Sequence, residues 1–82
     1  MTKEYFKYAY SDDEGVDIYI IDYERGVDVI FSDAVDEPFY SFQSALSEKI
    51  NSAKQLLLQD GFVEISEEEV AKYILQRGIT RE

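Results

Sequence analysis

Histidine, cysteine and tryptophan are all missing from this sequence of 82 residues, and proline occurs once. Without His and Cys there is no Ser-His-Asp or Cys-His catalytic arrangement, no imidazole acid/base chemistry and no disulfide framework. The usual nitrogen and sulfur ligands of zinc, copper and iron are missing as well. The four glycines, Gly15, Gly26, Gly61 and Gly78, stand apart from one another, so neither a Walker-type phosphate loop nor a GxGxxG turn can be drawn. With tyrosine not counted, apolar runs stop at three residues, as in Val29-Ile30-Phe31 and Leu56-Leu57-Leu58, far short of the roughly twenty a membrane span needs. The opening Met1-Thr2-Lys3-Glu4-Tyr5 has no apolar signal-peptide core, so the expectation is a soluble protein that stays in the cytoplasm.

Positive charge is also scarce. Eight Lys and Arg stand against 18 Asp and Glu, a formal net charge of −10, and without histidine that charge is nearly constant around neutral pH. The residues left for chemistry are carboxylates, Tyr, Lys, Arg and hydroxyls. Among 18 acids any carboxylate spacing arises by chance, so no pair stands out as a glycosidase-like couple. Asp12, Asp13, Glu14 and Asp17 could offer oxygen ligands to a divalent cation, but they lack the EF-hand spacing. The expectation is a protein that is not an enzyme and carries no metal or other cofactor.

What the sequence does contain is enough apolar material for one core: 45% hydrophobic residues and 15% aromatics in a length suited to one domain over 1–82. No repeat, low-complexity tract or linker divides it. Residues 5–10 are aromatic-rich and place Phe6, Tyr8 and Tyr10 on one face of an extended segment. The turn formers 11–15 lead into a second strand over 16–23. Glu24-Arg25-Gly26 reads as a bulged three-residue hairpin turn with Gly26 in the left-handed region, followed by a third strand over 27–32. That turn sets Tyr23 opposite Val27, Ile21 opposite Val29 and Tyr19 opposite Phe31, and on the other face it brings Asp22 against Asp28, a like-charge pair. A four-residue loop avoids the pair but slips the register by one residue.

Residues 33–40, with the sole proline Pro38, read as a loop into a helix over about 41–59. Its apolar stripe is Phe42, Ala45, Leu46, Ile50, Ala53, Leu56 and Leu57. Gly61 follows as a C-terminal cap, and 62–65 as a short fourth strand. Ser66 with Glu69 forms a capping box that opens a second helix, with Glu67, Glu68 and Glu69 at its positive end, ending at Gly78. The order β-β-β-α-β-α specifies an α+β domain with a mainly antiparallel sheet and two helices packed on it, one sheet face covered by helix and the other partly wet.

The acidity is uneven. Residues 1–40 hold eleven acids and three bases, 41–60 two and two, and 61–82 five and three. Asp12, Asp13, Glu14, Asp17, Asp22, Glu24, Asp28, Asp33, Asp36 and Glu37 fall in or just after the hairpins, where they can form a negative array. With Tyr8, Tyr10, Tyr23 and Tyr40 beside them, they are the candidate partner-binding residues, since a tyrosine ring can be buried at an interface while its hydroxyl reaches water. Carboxylates at phosphate-like spacing can occupy a basic nucleic-acid channel on another protein and inhibit it, so the expected activity is protein binding by DNA mimicry. The plain alternative is that acids in turns and on solvent faces keep a small domain soluble. In size and charge the chain resembles small inhibitors encoded by phages and mobile elements. The second reading is an immunity protein or antitoxin that neutralises a basic toxin, or a structural subunit that dimerises through an exposed strand edge, and the third is a small enzyme using only carboxylates and tyrosine. The expected partner is a basic protein surface, with the chain itself a monomer or homodimer. Direct nucleic-acid binding is not expected, because the phosphate backbone would be repelled, and neither is membrane association.

Overall fold

A computed structural model describes residues 3–9, 15–33 and 40–77. Five strands and two helices follow one another as β1 (Lys3–Ala9), β2 (Val16–Asp22), β3 (Gly26–Ser32), β4 (Phe42–Gln43), α1 (Ser47–Gln59), β5 (Val63–Ile65) and α2 (Glu67–Arg77). The strands form one antiparallel sheet in the order β4-β3-β2-β1-β5. This is the expected single α+β domain, with one strand more than the sequence pattern suggested.

Period-two alternation along β1 and β2 sends side chains to both faces of the sheet, and each face has its own helix. On one side Phe6, Tyr19, Ile21 and Val27 pack with Ile50, Ala53 and Leu57 of α1 and with Phe62. On the other, Val16 and Ile18 meet Val70 of α2, with Tyr5, Ile30, Phe31, Ile65, Tyr73 and Ile74 at the margin. The architecture is therefore helix, sheet, helix, and the face expected to be partly wet is covered over much of its area by α2. Burying one Leu- or Phe-sized side chain contributes about 2 kcal/mol, so the fully buried Phe6, Ile18, Ile21, Ile50 and Leu57 dominate the stabilisation.

The second hairpin corrects the expected register. Asp22 pairs with Gly26, Ile21 with Val27, Ile20 with Asp28 and Tyr19 with Val29, so the Asp22–Asp28 clash does not arise. The turn is Tyr23-Glu24-Arg25, closed by the Arg25 N–H donating to the Asp22 carbonyl at 3.1 Å, and Gly26, at φ 123°, is already a strand residue. A bulge between Ile18 and Tyr19 then shifts the pairing so that Phe31 faces Ile18. The extra residue in β3 moves Phe31 from the α1 side, where alternation after Val27 and Val29 would put it, to the α2 side. There its ring lies 6.5 Å from that of Tyr73.

The first helix starts six residues later than its apolar spacing indicates. Phe42 and Gln43 form β4, pairing with Val27 and Gly26. Of the expected stripe only Ile50, Ala53 and Leu57 are buried in the helix; Ala45 and Leu46 precede it, and Leu56 is exposed. The helix ends as Gly61 foretold. Phe62 N–H reaches the Leu57 carbonyl and Gly61 N–H the Leu58 carbonyl, with Gly61 at φ 100°, a Schellman arrangement. At the start of α2 the Ser66 hydroxyl oxygen accepts the Glu69 N–H at 3.2 Å, but the Glu69 carboxylate turns away from Ser66 to Lys7. The box is half made, and its acid holds α2 to the sheet.

Each helix is tied to β1 by one ion pair. Lys7 reaches Glu69 at 3.2 Å and the Tyr73 hydroxyl at 3.1 Å on the α2 side. On the α1 side Glu4 accepts from Lys54 at 3.1 Å and from the Tyr23 hydroxyl at 2.5 Å. Partial burial pushes the Glu4 carboxyl up, but the Tyr23 and Lys54 hydrogen bonds and the Lys54 charge together outweigh it and hold the group below its ordinary value. A folded-state pKa below the unfolded one stabilises the fold above the unfolded value, and that contribution disappears as pH falls through the folded value. Stability measured by urea unfolding is therefore expected to fall below about pH 5, and Glu4→Gln to flatten that part of the profile. An unchanged slope in the variant would remove Glu4 as its source.

Candidate interaction surface

Of the fourteen residues singled out by the sequence, Asp12, Asp13, Glu14, Asp36, Glu37 and Tyr10 lie outside the described residues. The eight others divide into three groups rather than one array.

Asp17 and Asp33 lie at the same end of the sheet, at successive positions of the β2–β3 pairing: Asp17 is opposite Ser32, and Val16 is bonded to Asp33. The Asp17 carboxylate accepts the Ser32 hydroxyl across the β2–β3 ladder at 2.6 Å. Asp33, just past β3, accepts the Val16 N–H on its carboxylate at 2.6 Å and returns its own N–H to the Val16 carbonyl at 3.2 Å. Both carboxylates are thereby held at the sheet margin by short bonds to the scaffold. In sequence, Asp12, Asp13 and Glu14 run directly into Gly15, and Asp36 and Glu37 follow shortly after Asp33. These seven acids are accompanied by no base anywhere in 8–24 or 33–48. They carry −7 of the total −10; the remaining eleven acids and eight bases sum to −3.

Asp22, Glu24 and Asp28 occupy the opposite end, around the hairpin turn. Asp22 lies five residues along β2 from Asp17, roughly 17 Å at ~3.3 Å per residue and so about two physiological screening lengths away. Here the carboxylates serve the backbone locally: Asp22 accepts the Glu24 N–H at 2.9 Å, and Asp28 accepts the Val29 N–H at 2.8 Å. Two bases also partly offset these three acids. Lys3, opposite Asp22 in the β1–β2 register, and Arg25 in the turn join Asp22, Asp28 and Ile20 in lining an open concavity of about 490 Å³ on the sheet face that α2 leaves uncovered.

The tyrosines form the third group, and packing accounts for them. Tyr8 packs on Phe62 with tilted rings whose centroids are 5.5 Å apart, Tyr40 meets Tyr19 edge-on at 5.9 Å, and Tyr23 flanks the same core. Tyr23 donates its hydroxyl to Glu4, and Tyr40 donates to Asp60. The hydrogen bond that Tyr40 donates to Asp60, which ionisation would destroy, raises the Tyr40 pKa to about 12, helped by partial burial and by the Asp60 charge.

Sequence reading missed the flank built from β4, Leu46 and Leu56. Those residues had been assigned to the buried stripe of a longer helix, and the signal against that was Gly26. A Cβ at Gly26 would lie 2.3 Å from the Phe42 carbonyl oxygen and 2.8 Å from the Ser44 nitrogen, so the glycine marks where another strand crosses as well as where the chain turns. No helix among the described residues is long and apolar enough to cross a membrane. Compared with known proteins, the chain matches no family model, no curated protein sequence and no solved structure.

Proposed function

We propose that this chain is a non-enzymatic, acidic binding domain that inhibits a nucleic-acid-handling protein by offering carboxylates where DNA offers phosphates. The observation that carries this reading is the polarity of the charge: Asp17 and Asp33, held at successive positions at one end of the β2–β3 pair, sit where the base-free acidic stretches of sequence join the sheet, while the hairpin-turn acids are partly offset by Lys3 and Arg25. A concentrated negative end steers a basic surface into contact and displaces the ions that DNA would displace. Strand-borne carboxylates suit this role, because their positions are paid for by the fold and not by binding.

The test compares capture of a binding partner from cell lysate by the full chain and by two multiple variants. Asp17→Asn with Asp33→Asn is expected to weaken capture by at least about tenfold, because each keeps its side-chain acceptor oxygen and loses only charge. Asp22→Asn, Glu24→Gln and Asp28→Asn together are expected to change it less than about threefold. The reverse ranking would move the site to the hairpin turn and overturn the assignment.

A further inference from the structure

We infer that the β4 edge, with the flank of α1 above it, is a self-association surface that pairs two copies of this chain antiparallel about a two-fold axis. The surface is separate from the acidic end and independent of the function proposed for it. Three observations converge there.

First, the main chain is open. β4 is an edge strand, and among the described residues no strand pairs with its outer side. Ser44 donates its N–H inward to the Arg25 carbonyl at 2.9 Å, so by ladder alternation the neighbouring Gln43 directs its N–H and C=O outward. Second, the flank is apolar. The Lys49 ammonium sits 5.2 Å from the Phe42 ring centroid, and the Tyr40 hydroxyl bonds Asp60 just past the helix end, which orients positions 49 and 56 of the helix towards the β4 side. Leu56 therefore lies over this edge at 47% exposure, and Leu46, just before the helix, is 68% exposed.

Third, the flank is neutral in a strongly acidic protein. Residues 40–47 carry no ionised side chain, and Lys49 and Asp60 on the helix flank are opposite in sign. Ser41, Phe42 and Gln43 also line the concavity of Lys3, Asp22, Arg25 and Asp28, where the two signs offset each other, so two copies of charge −10 meet little repulsion here and a basic partner would gain little attraction. Antiparallel pairing also sends the two acidic ends to opposite corners. Within each copy that end is five residues along β3 from the β4 contact, roughly 17 Å and beyond the ~8 Å physiological screening length. The isologous arrangement joins two five-stranded sheets into one and lays the α1 flanks side by side.

Analytical ultracentrifugation of the full chain, from micromolar to millimolar concentration at low and high salt, tests this. The mass should rise from 9.5 kDa towards twice that value with concentration, and more readily at high salt, where residual repulsion is screened. Gln43→Pro removes the outward N–H at a position where an edge strand tolerates proline, and Leu46→Glu places a charge on the flank. Each should raise the dimer dissociation constant by at least about tenfold, with circular dichroism and urea unfolding confirming the fold. A monomer at every concentration and salt, or a dimer indifferent to both variants, overturns the inference. So does a monomeric wild type whose capture of a different protein both variants abolish.

Discussion

Replacing Phe6 by alanine is expected to cost about 4 kcal/mol, the largest loss of any single truncation here. Phe6 is fully buried on β1, opposite Tyr19 of β2, in the cluster closed by Ile50, Ala53 and Leu57 from above and Phe62 from the side. Removing the ring takes away its transfer free energy and leaves a cavity between sheet and helix that neither can close, because β1 is held on both sides by β2 and β5. Against a total stability of roughly 4–12 kcal/mol for a chain of this length, the variant should lose between about a third and all of its stability. Urea unfolding gives the number. Leu75→Ala is the contrast: Leu75 is 80% exposed on α2, and its truncation should stay within about 0.5 kcal/mol. A Phe6→Ala loss below about 2 kcal/mol would mean that the α1-side cluster is not the main core.

Gly26→Ala should cost about 3 kcal/mol for a different reason. At φ 123° the backbone occupies a region that L side chains rarely adopt, and the added methyl would meet the Phe42 carbonyl at 2.3 Å. Both the strained residue and the contacted atoms are backbone, so no side-chain rotation relieves them. The expected signature is a fall in melting temperature of roughly 15 °C. Faster hydrogen exchange at the Ser44 amide should accompany it, since that amide bonds Arg25 across the displaced strand. Gly61→Ala provides the comparison. There φ is 100°, but the nearest neighbour is the Tyr8 ring at 3.2 Å, a side chain that can yield, and about 1 kcal/mol is expected. Equal losses at the two glycines would show that β4 does not depend on the close approach at Gly26.

Much of the fold could be read from local chemistry. Gly61 after the apolar helix and Ser66 before Glu67-Glu68-Glu69 act within a few residues of themselves, and both do what their residue types require. The three long strands follow from aromatic and β-branched alternation between turn formers. What escaped the pattern is set across the sheet. Phe42 and Leu46 sit at helical spacing to Ile50 and Ala53, and nothing nearby says that Phe42 belongs to a strand; the reason lies in the bare backbone of Gly26, sixteen residues earlier. The bulge that carries Phe31 to the α2 side is likewise a property of the β2–β3 pairing and not of either strand alone.

For the candidate site, the sequence identified the acidic half but not its division. Ten carboxylates in two hairpins look like one array until the register places Asp17 with Ser32 and Asp22 with Gly26, at opposite ends of β2. Composition cannot reveal that Lys3 is the cross-strand neighbour of Asp22, or that Tyr23 and Tyr40 give their hydroxyls to Glu4 and Asp60. Those pairings come from strand register and helix placement, and they confine the proposed recognition surface to the Asp17–Asp33 end.

That surface is tested most directly by competition. A protein captured from lysate by the immobilised full chain at low salt is challenged with duplex DNA and, separately, with rising salt. The expected result is release by DNA in proportion to its concentration, with affinity falling steeply and log-linearly in salt, because carboxylates and phosphates contend for the same Lys and Arg groups. A partner that holds the chain and DNA at once, or whose affinity is indifferent to salt, would contradict mimicry at the Asp17–Asp33 end.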